Sequence, residues 1–287
     1  MRNAFIDELV TLADAHDHIA LIVGDLGYNV IEPFADRFPD RFVNAGVAEQ
    51  NMTGLAAGMA SEGYHVFTYS IANFPTFRCA EQIRNDVDHH RLPVTVVAVG
   101  GGVSYGALGY SHHAVQDYAL MRSMPNMVIA SPGDPLETRA CLRWLVANPG
   151  PSYLRLGKAG EPQFHAEIPD VSPGRWVPVR EGTQDEVMLS TGAALGAAIG
   201  RAAGKAVWSL PLWSMAAKVQ QPDQMAQRAH VTTLEDHLAD GGFGSWLMES
   251  VAGTPAAAHI QPIALSADIC DLVAGQSTLN RIGGLTL

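Results

Sequence analysis

Glu49 lies in the run Asn44-Ala45-Gly46-Val47-Ala48-Glu49-Gln50-Asn51-Met52, where a strand end gives way to a helical pattern that carries glycines at 54 and 58. A carboxylate in the first turn of a helix is stabilised by the free backbone amides and the positive end of the helix dipole. Glu49 therefore fits two descriptions, a helix-start charge or an acid–base group. His112 follows the glycine-rich turn Gly100 to Gly109 and precedes a helical segment. A loop residue in that position is presented at the carboxyl edge of a parallel sheet, where ligands bind, and an imidazole there can donate a hydrogen bond or move a proton near neutral pH. The neighbouring His113 points elsewhere and reads as structural. The glycine turn lacks the G-x-G-x-x-G order and acidic follower of a dinucleotide site. Asp236 and His237, beside Gly241-Gly242-Phe243-Gly244, read as capping or interface-packing groups.

Short β-type runs alternating with helical patterns must carry these residues. The first region reads as helix 3–15, strand 18–23, strand 41–44, helix 47–61, strand 65–71, helix 77–88, strand 94–99, helix 114–124, strand 127–131, helix 135–147 and strand 152–156. Such alternation specifies a parallel sheet with helices on its faces. The expected fold class is α/β, a doubly wound, mainly parallel sheet in residues 1–165 followed by a smaller α/β domain in 181–287. The Pro-, Gly- and Asp-rich stretch 166–180 reads as a linker. Beyond it come strand 187–191, helix 193–203, strand 206–210, strand 230–235, helix 243–251 and strand 260–265.

Eighteen basic against twenty-nine acidic residues give a formal net charge of −11, which argues against nucleic-acid binding or attraction to anionic membrane. No apolar run reaches bilayer length, and Asp7, Glu8, Asp14 and Asp17 make the N-terminal segment unlike a signal peptide. The expected location is cytoplasmic. Cys79, Cys141 and Cys270 form no C-x-x-C pattern, so no disulfide framework or metal site is expected and all three read as buried thiols.

The run Ala48-Glu49-Gln50-Asn51-Met52 resembles the signature glutamate of the transketolase family. Asp25, Ser70, Phe74 and Phe77, Arg78 with Glu81-Gln82-Ile83-Arg84, Ser111-His112, Arg122 to Asn126 and Ser152 to Arg155 follow in family order. Thr233 to His237 and Gly241 to Gly244 look like the family's C-terminal domain, so the likeness covers nearly the whole chain. It implies a pyrimidine-binding domain for thiamine diphosphate, in which Glu49 bonds N1′ of the aminopyrimidine and favours the imino form that activates the cofactor. Phe74 would stack on the ring, Phe77 would wall the pocket, and Asp25 and Ser70 would line it. His112 would meet substrate oxygens, and Arg155 would anchor the phosphate of a sugar phosphate.

The family's diphosphate motif, Gly-Asp-Gly with a downstream asparagine, has no counterpart in this sequence; the nearest string, Gly24-Asp25-Leu26-Gly27, lacks the asparagine. The resemblance thus implies the small subunit of a split transketolase, acting on a sugar or sugar phosphate. A separate diphosphate-binding subunit would hold Mg2+ or another divalent ion, and the assembly would be an α2β2 heterotetramer. Alternatives are a 2-oxoacid dehydrogenase E1 beta-like subunit, a deoxyxylulose-phosphate-synthase-like subunit, or a non-catalytic regulatory partner. Gly100 and Leu108 stand where the family often has a histidine and an aspartate that read substrate hydroxyls, which puts the ordinary pentose-phosphate reaction in question.

Overall fold

The computed structural model describes residues 1–158, 160–226 and 228–286. Among the described residues twelve strands run in chain order as β1 (Ile19–Val23), β2 (Phe42–Asn44), β3 (His65–Ile71), β4 (Val94–Val99), β5 (Val128–Ala130), β6 (Ser152–Leu156), β7 (Val177–Arg180), β8 (Thr183–Ser190), β9 (Lys205–Ser209), β10 (Leu212–Ser214), β11 (His230–Leu238) and β12 (Ile260–Leu265). They form a seven-stranded sheet in the order β10-β5-β6-β4-β3-β1-β2 and a five-stranded sheet in the order β12-β11-β8-β9-β7. Every pairing is parallel except β10 with β5 and β7 with β9, so the chain is α/β with two mainly parallel sheets.

The apolar runs become central strands because both faces of the first sheet are covered. Along β1, Ile22 turns toward the helix Glu49–Ser61, while Ile19, Leu21 and Val23 turn toward the helices Arg2–Ala15 and Pro135–Ala147, the alternation that a pleated strand requires. The helix Pro135–Ala147 starts where the spacing predicts. Asp134 caps it by accepting from the Glu137 amide at 2.7 Å, and Pro135 sits in its first turn, both strong start signals.

Two strands depart from the expected division. The stretch 166–180, expected as a linker, is irregular up to Trp176 and then forms the edge strand β7. β10, far along the chain, returns to the first sheet and lies antiparallel to β5. Trp213 on β10 packs edge-on against Tyr118 at 5.2 Å and beside Trp246 at 5.4 Å, joining the cores of the two sheets. The expected helix 77–88 is broken into Phe74–Phe77, Ala80–Gln82 and a π-type turn Ile83–Asp88. Cys79 and Cys141 are buried, whereas Cys270 is half-buried, contrary to the expectation of three buried thiols. No described helix is long and apolar enough to cross a membrane.

Candidate active site

The carboxyl ends of β1, β3, β4 and β6 deliver four short segments to one edge of the first sheet: Gly24-Asp25, Ala72 to Phe74, Gly100 to His112, and Gly157-Lys158. That edge is where open α/β sheets bind ligands.

Glu49 begins its helix, but on the inner side. The buried residues of that helix are Glu49, Met52, Thr53, Ala56, Ala57 and Ala60, a stripe at helical spacing facing the sheet. A glutamate serving the helix dipole alone gains nothing from joining that stripe. Only 3% exposed, it opens on a cleft of about 420 Å3 lined by Val47, Ala48, Gln50, Asn51 and Arg78. Gly24 lies between Glu49 and Ser70: a Cβ added there would stand 3.7 Å from the Glu49 Cγ and 3.5 Å from the Ser70 Oγ. The Ser70 hydroxyl is buried with no hydrogen-bond partner among the described residues, so an unpaired polar group lies on the far side of Gly24 from Glu49.

Arg78 connects this carboxylate to an aromatic ring. It donates to the Glu49 carboxylate at 3.1 Å and lays its guanidinium over Phe74, 4.3 Å from the ring centroid. Phe74 meets the His112 ring edge-on at 5.3 Å; His112 in turn faces Tyr105 at 6.5 Å, and the Lys158 ammonium stands over Tyr105 at 5.3 Å. One row therefore runs Glu49, Arg78, Phe74, His112, Tyr105, Lys158. Phe77 is exposed and lies outside it.

The His112 loop is held in place by Asn73, whose side-chain amide donates to the carbonyls of Ser111 at 3.3 Å and His113 at 2.7 Å. Burial, and then the neighbouring His113, lower the His112 pKa, so at neutral pH it is a neutral imidazole. Its Nδ1 lies 3.0 Å from the Ser111 hydroxyl. Asp25 follows β1 at the sheet's carboxyl edge, exposed and in the left-handed region at φ 53°. It accepts from the Asn44 amide at 3.0 Å and the Tyr28 hydroxyl at 3.1 Å, contacts that lower its pKa, Asn44 first.

Arg155 requires a correction. Rather than facing the cleft as a phosphate anchor, it is 2% exposed, with all of its N–H donors engaged. It donates to Asp117 at 2.7 Å, Asp236 Oδ1 at 2.6 Å, the Tyr118 hydroxyl at 3.2 Å, the Ala114 carbonyl at 2.7 Å and the Asp236 carbonyl at 3.1 Å. Burial alone would lower its pKa, but Asp117 and Asp236 more than offset that and keep it charged. No donor remains for a phosphate. His237, stacked on Tyr118 at 5.1 Å, joins this buried group, where burial holds its pKa down to about 4.

The glycine triplet before His112 has a packing explanation. A Cβ on Gly100 would overlap the Tyr105 ring, one on Gly101 would come within 2.6 Å of the Arg155 guanidinium carbon, and one on Gly102 within 2.5 Å of the Asp236 carboxylate. Each glycine admits one large side chain, and none is needed to cradle a phosphate. Sequence reasoning missed Asn73, Tyr105 and Lys158. The triplet itself was the signal for Tyr105, since consecutive glycines at a strand end mark close approach by other groups.

Residues 1–161 match the transketolase pyrimidine-binding domain family. The chain is 32% identical over 259 residues to a transketolase C-terminal section of Methanocaldococcus jannaschii, spanning 88% of this chain and 82% of that one. It is 31% identical over 268 residues to an apulose-4-phosphate transketolase subunit of Phocaeicola vulgatus, spanning 90% and 86%. Among solved structures it is similar to a split-gene transketolase described as an inactive β4 tetramer, with a TM-score of 0.84, 29% identity, and coverage of 99% of this chain and 93% of that one.

Proposed function

This chain belongs to the transketolase family, and from that membership we propose that it is the thiamine-diphosphate-activating subunit of a split transketolase. In this reading it grips the cofactor's aminopyrimidine, while a separate subunit holds the diphosphate and a divalent ion. The reaction moves a two-carbon ketol unit from a ketose to an aldehyde. The observation that carries the reading is Glu49, a carboxylate on the inner stripe of its helix that nonetheless opens on a cleft beside an aromatic face.

The residues present fit an aminopyrimidine. Arg78 already lays a planar cation on Phe74 with its edge against Glu49, the same pairing of ring face and carboxylate that an aminopyrimidine calls for. Binding therefore requires Arg78 to leave Phe74 and Glu49. The chemistry supplied by thiamine diphosphate, when bound, is a nucleophilic carbon that takes up and releases the ketol unit. Glu49 holds a proton between its carboxylate and the ring nitrogen that it meets. Phe74 orients the ring, the free hydroxyl of Ser70 offers a further hydrogen bond, and Asp25 borders the pocket. His112, neutral and clamped through Asn73, donates to or accepts from substrate oxygens. Lys158, exposed at the far end of the row, takes over from Arg155 as the anchor for a substrate phosphate.

Val47, Phe77, Leu108 and Tyr110 surround this edge as exposed apolar side chains, a surface suited to cover by another subunit. Two of these chains with two diphosphate-binding subunits make the proposed assembly, and the expected setting is carbohydrate metabolism in the cytoplasm. Mixing experiments test the reading. The chain alone is expected to show no ketol transfer, and the chain with a diphosphate-binding subunit, thiamine diphosphate and Mg2+ to show turnover. Glu49→Gln in that mixture should lower kcat on the order of 10^3-fold, within the span of general acid–base effects. Turnover by the lone chain, or a fully active Glu49→Gln mixture, would overturn the proposal.

A further inference from the structure

Gly100 follows β4 at the site edge with φ +88°, and a side chain there would collide with Tyr105. No side chain can therefore project from that strand end, and the space belongs to the Tyr105 ring. The ring lies between the imidazole of His112, at 6.5 Å, and the ammonium of Lys158, at 5.3 Å. The reacting bond belongs at the Glu49, Phe74 and His112 end of the row, and a terminal anion belongs at Lys158. A substrate joining the two must pass its middle carbons across Tyr105.

We infer that Tyr105 is the specificity-determining residue of this site, selecting ketose phosphates that turn a C–H face, rather than a hydroxyl, toward its ring. The inference rests on the transketolase reading and deepens it by naming the substrate class. A hydroxyl pressed against the ring gives up its water, and the ring face returns no full hydrogen bond, a penalty of tenfold or more in specificity by the usual scale of unmatched polar groups, about 10–100-fold. A C–H face pays no such penalty and packs on the aromatic surface. The phenol stays protonated, its pKa raised by burial against the opposing influence of Arg2. Its single hydroxyl sits at the ring's rim, so it cannot serve a group lying over the face.

The test uses the assembled enzyme with thiamine diphosphate and Mg2+, glycolaldehyde as acceptor, and two donors, fructose 6-phosphate and its 4-deoxy analogue. Both donors keep the 3-hydroxyl that becomes the product aldehyde, so both can be cleaved. Wild type is expected to favour the 4-deoxy donor in kcat/KM by about tenfold. Tyr105→Ser, which takes the ring away and lets water reach a hydroxyl lying there, should bring the ratio to within about twofold, mainly through KM, whereas Tyr105→Phe, which keeps the ring, should preserve it. A wild-type preference for the hydroxylated donor, or a ratio that Tyr105→Ser leaves unchanged, overturns the inference while leaving ketol transfer intact. The wild-type ratio decides the matter even where the serine variant does not fold. Turnover of neither donor by any mixture overturns the functional reading, and the inference with it.

Discussion

Arg78 at the open edge of the first sheet and Arg155 at its seam with the second are chemically alike: each pairs with a carboxylate and lies over an aromatic ring. Their surroundings separate them. The Arg78 side chain is 51% exposed and makes one ion pair, to Glu49. That of Arg155 is 2% exposed and meets two aspartates, one of them in β11 of the other sheet. A guanidinium with every donor spent and no water at hand holds a seam together, while one with spare donors on a cleft can yield its place. Residue type and sequence position do not distinguish these roles; saturation and burial do.

The largest expected effect breaks this comparison at its buried end. Arg155→Met leaves Asp117 and Asp236 as uncompensated buried carboxylates and should cost about 3–5 kcal/mol of unfolding free energy, the usual result of removing one partner from a buried pair. Arg78→Met, at the open end, should cost less, about 1–2 kcal/mol: Arg78 itself is half exposed, and the Glu49 carboxylate left behind, though only 3% exposed, opens on a cleft that admits water. Urea unfolding of the two variants side by side measures both. Equal losses would mean that the two arginines do the same structural job.

What the sequence discloses divides along the same line. The central strands β1 and β4 were legible because fully covered strands are near-continuous apolar runs, β3 and β6 from their β-branched and aromatic residues despite the polar groups they carry, and the helix Pro135–Ala147 because Asp134 and Pro135 announce it. The helix that carries Glu49 was legible too, but the spacing left open which of its faces turns inward, and so whether Glu49 serves the helix end or a site. Partners distant along the chain were not legible. β10 is three residues long and acquires meaning only against β5. The fate of Arg155 depends on Asp236, 81 residues away, so strand-end position could not reveal that its donors were taken. The break at Arg78 between two short helices, which leaves its guanidinium beside Phe74, gave no periodic signal either.

If Arg155 is spent on the seam, the substrate's anion needs another cation, which sharpens the comparison at the exposed end. Lys158→Ala should raise KM for a phosphorylated ketose about tenfold, as the loss of one solvent-accessible charged hydrogen bond would, with kcat little changed. An unphosphorylated ketose should be indifferent to the substitution. Steady-state kinetics of the assembled enzyme with fructose and fructose 6-phosphate separate these outcomes. An equal rise in KM for both sugars would remove Lys158 from the phosphate site.

The smallest effect belongs to a third contact, intermediate between the other two. Glu249, on the helix Phe243–Ser250, accepts from Arg122 of the first region at 2.7 and 2.9 Å and from Lys218 at 2.5 Å, and its side chain is 47% exposed. Arg122 and, after it, Lys218 outweigh the opposing effect of burial and depress the Glu249 pKa to about 2. A carboxylate whose folded pKa lies below its ordinary 4.5 contributes stability that is fully present above pH 4.5 and is lost as pH falls through about 2. Solvent screening limits that contribution to about 1 kcal/mol or less. Glu249→Gln should therefore lower the unfolding free energy slightly at pH 7, and the gap from wild type should narrow steadily as pH is brought from 4.5 toward 3. A gap as wide at pH 3 as at pH 7 would mean that Glu249 acts through packing rather than charge. The seam would then depend on the Arg155 group alone for its electrostatic cohesion.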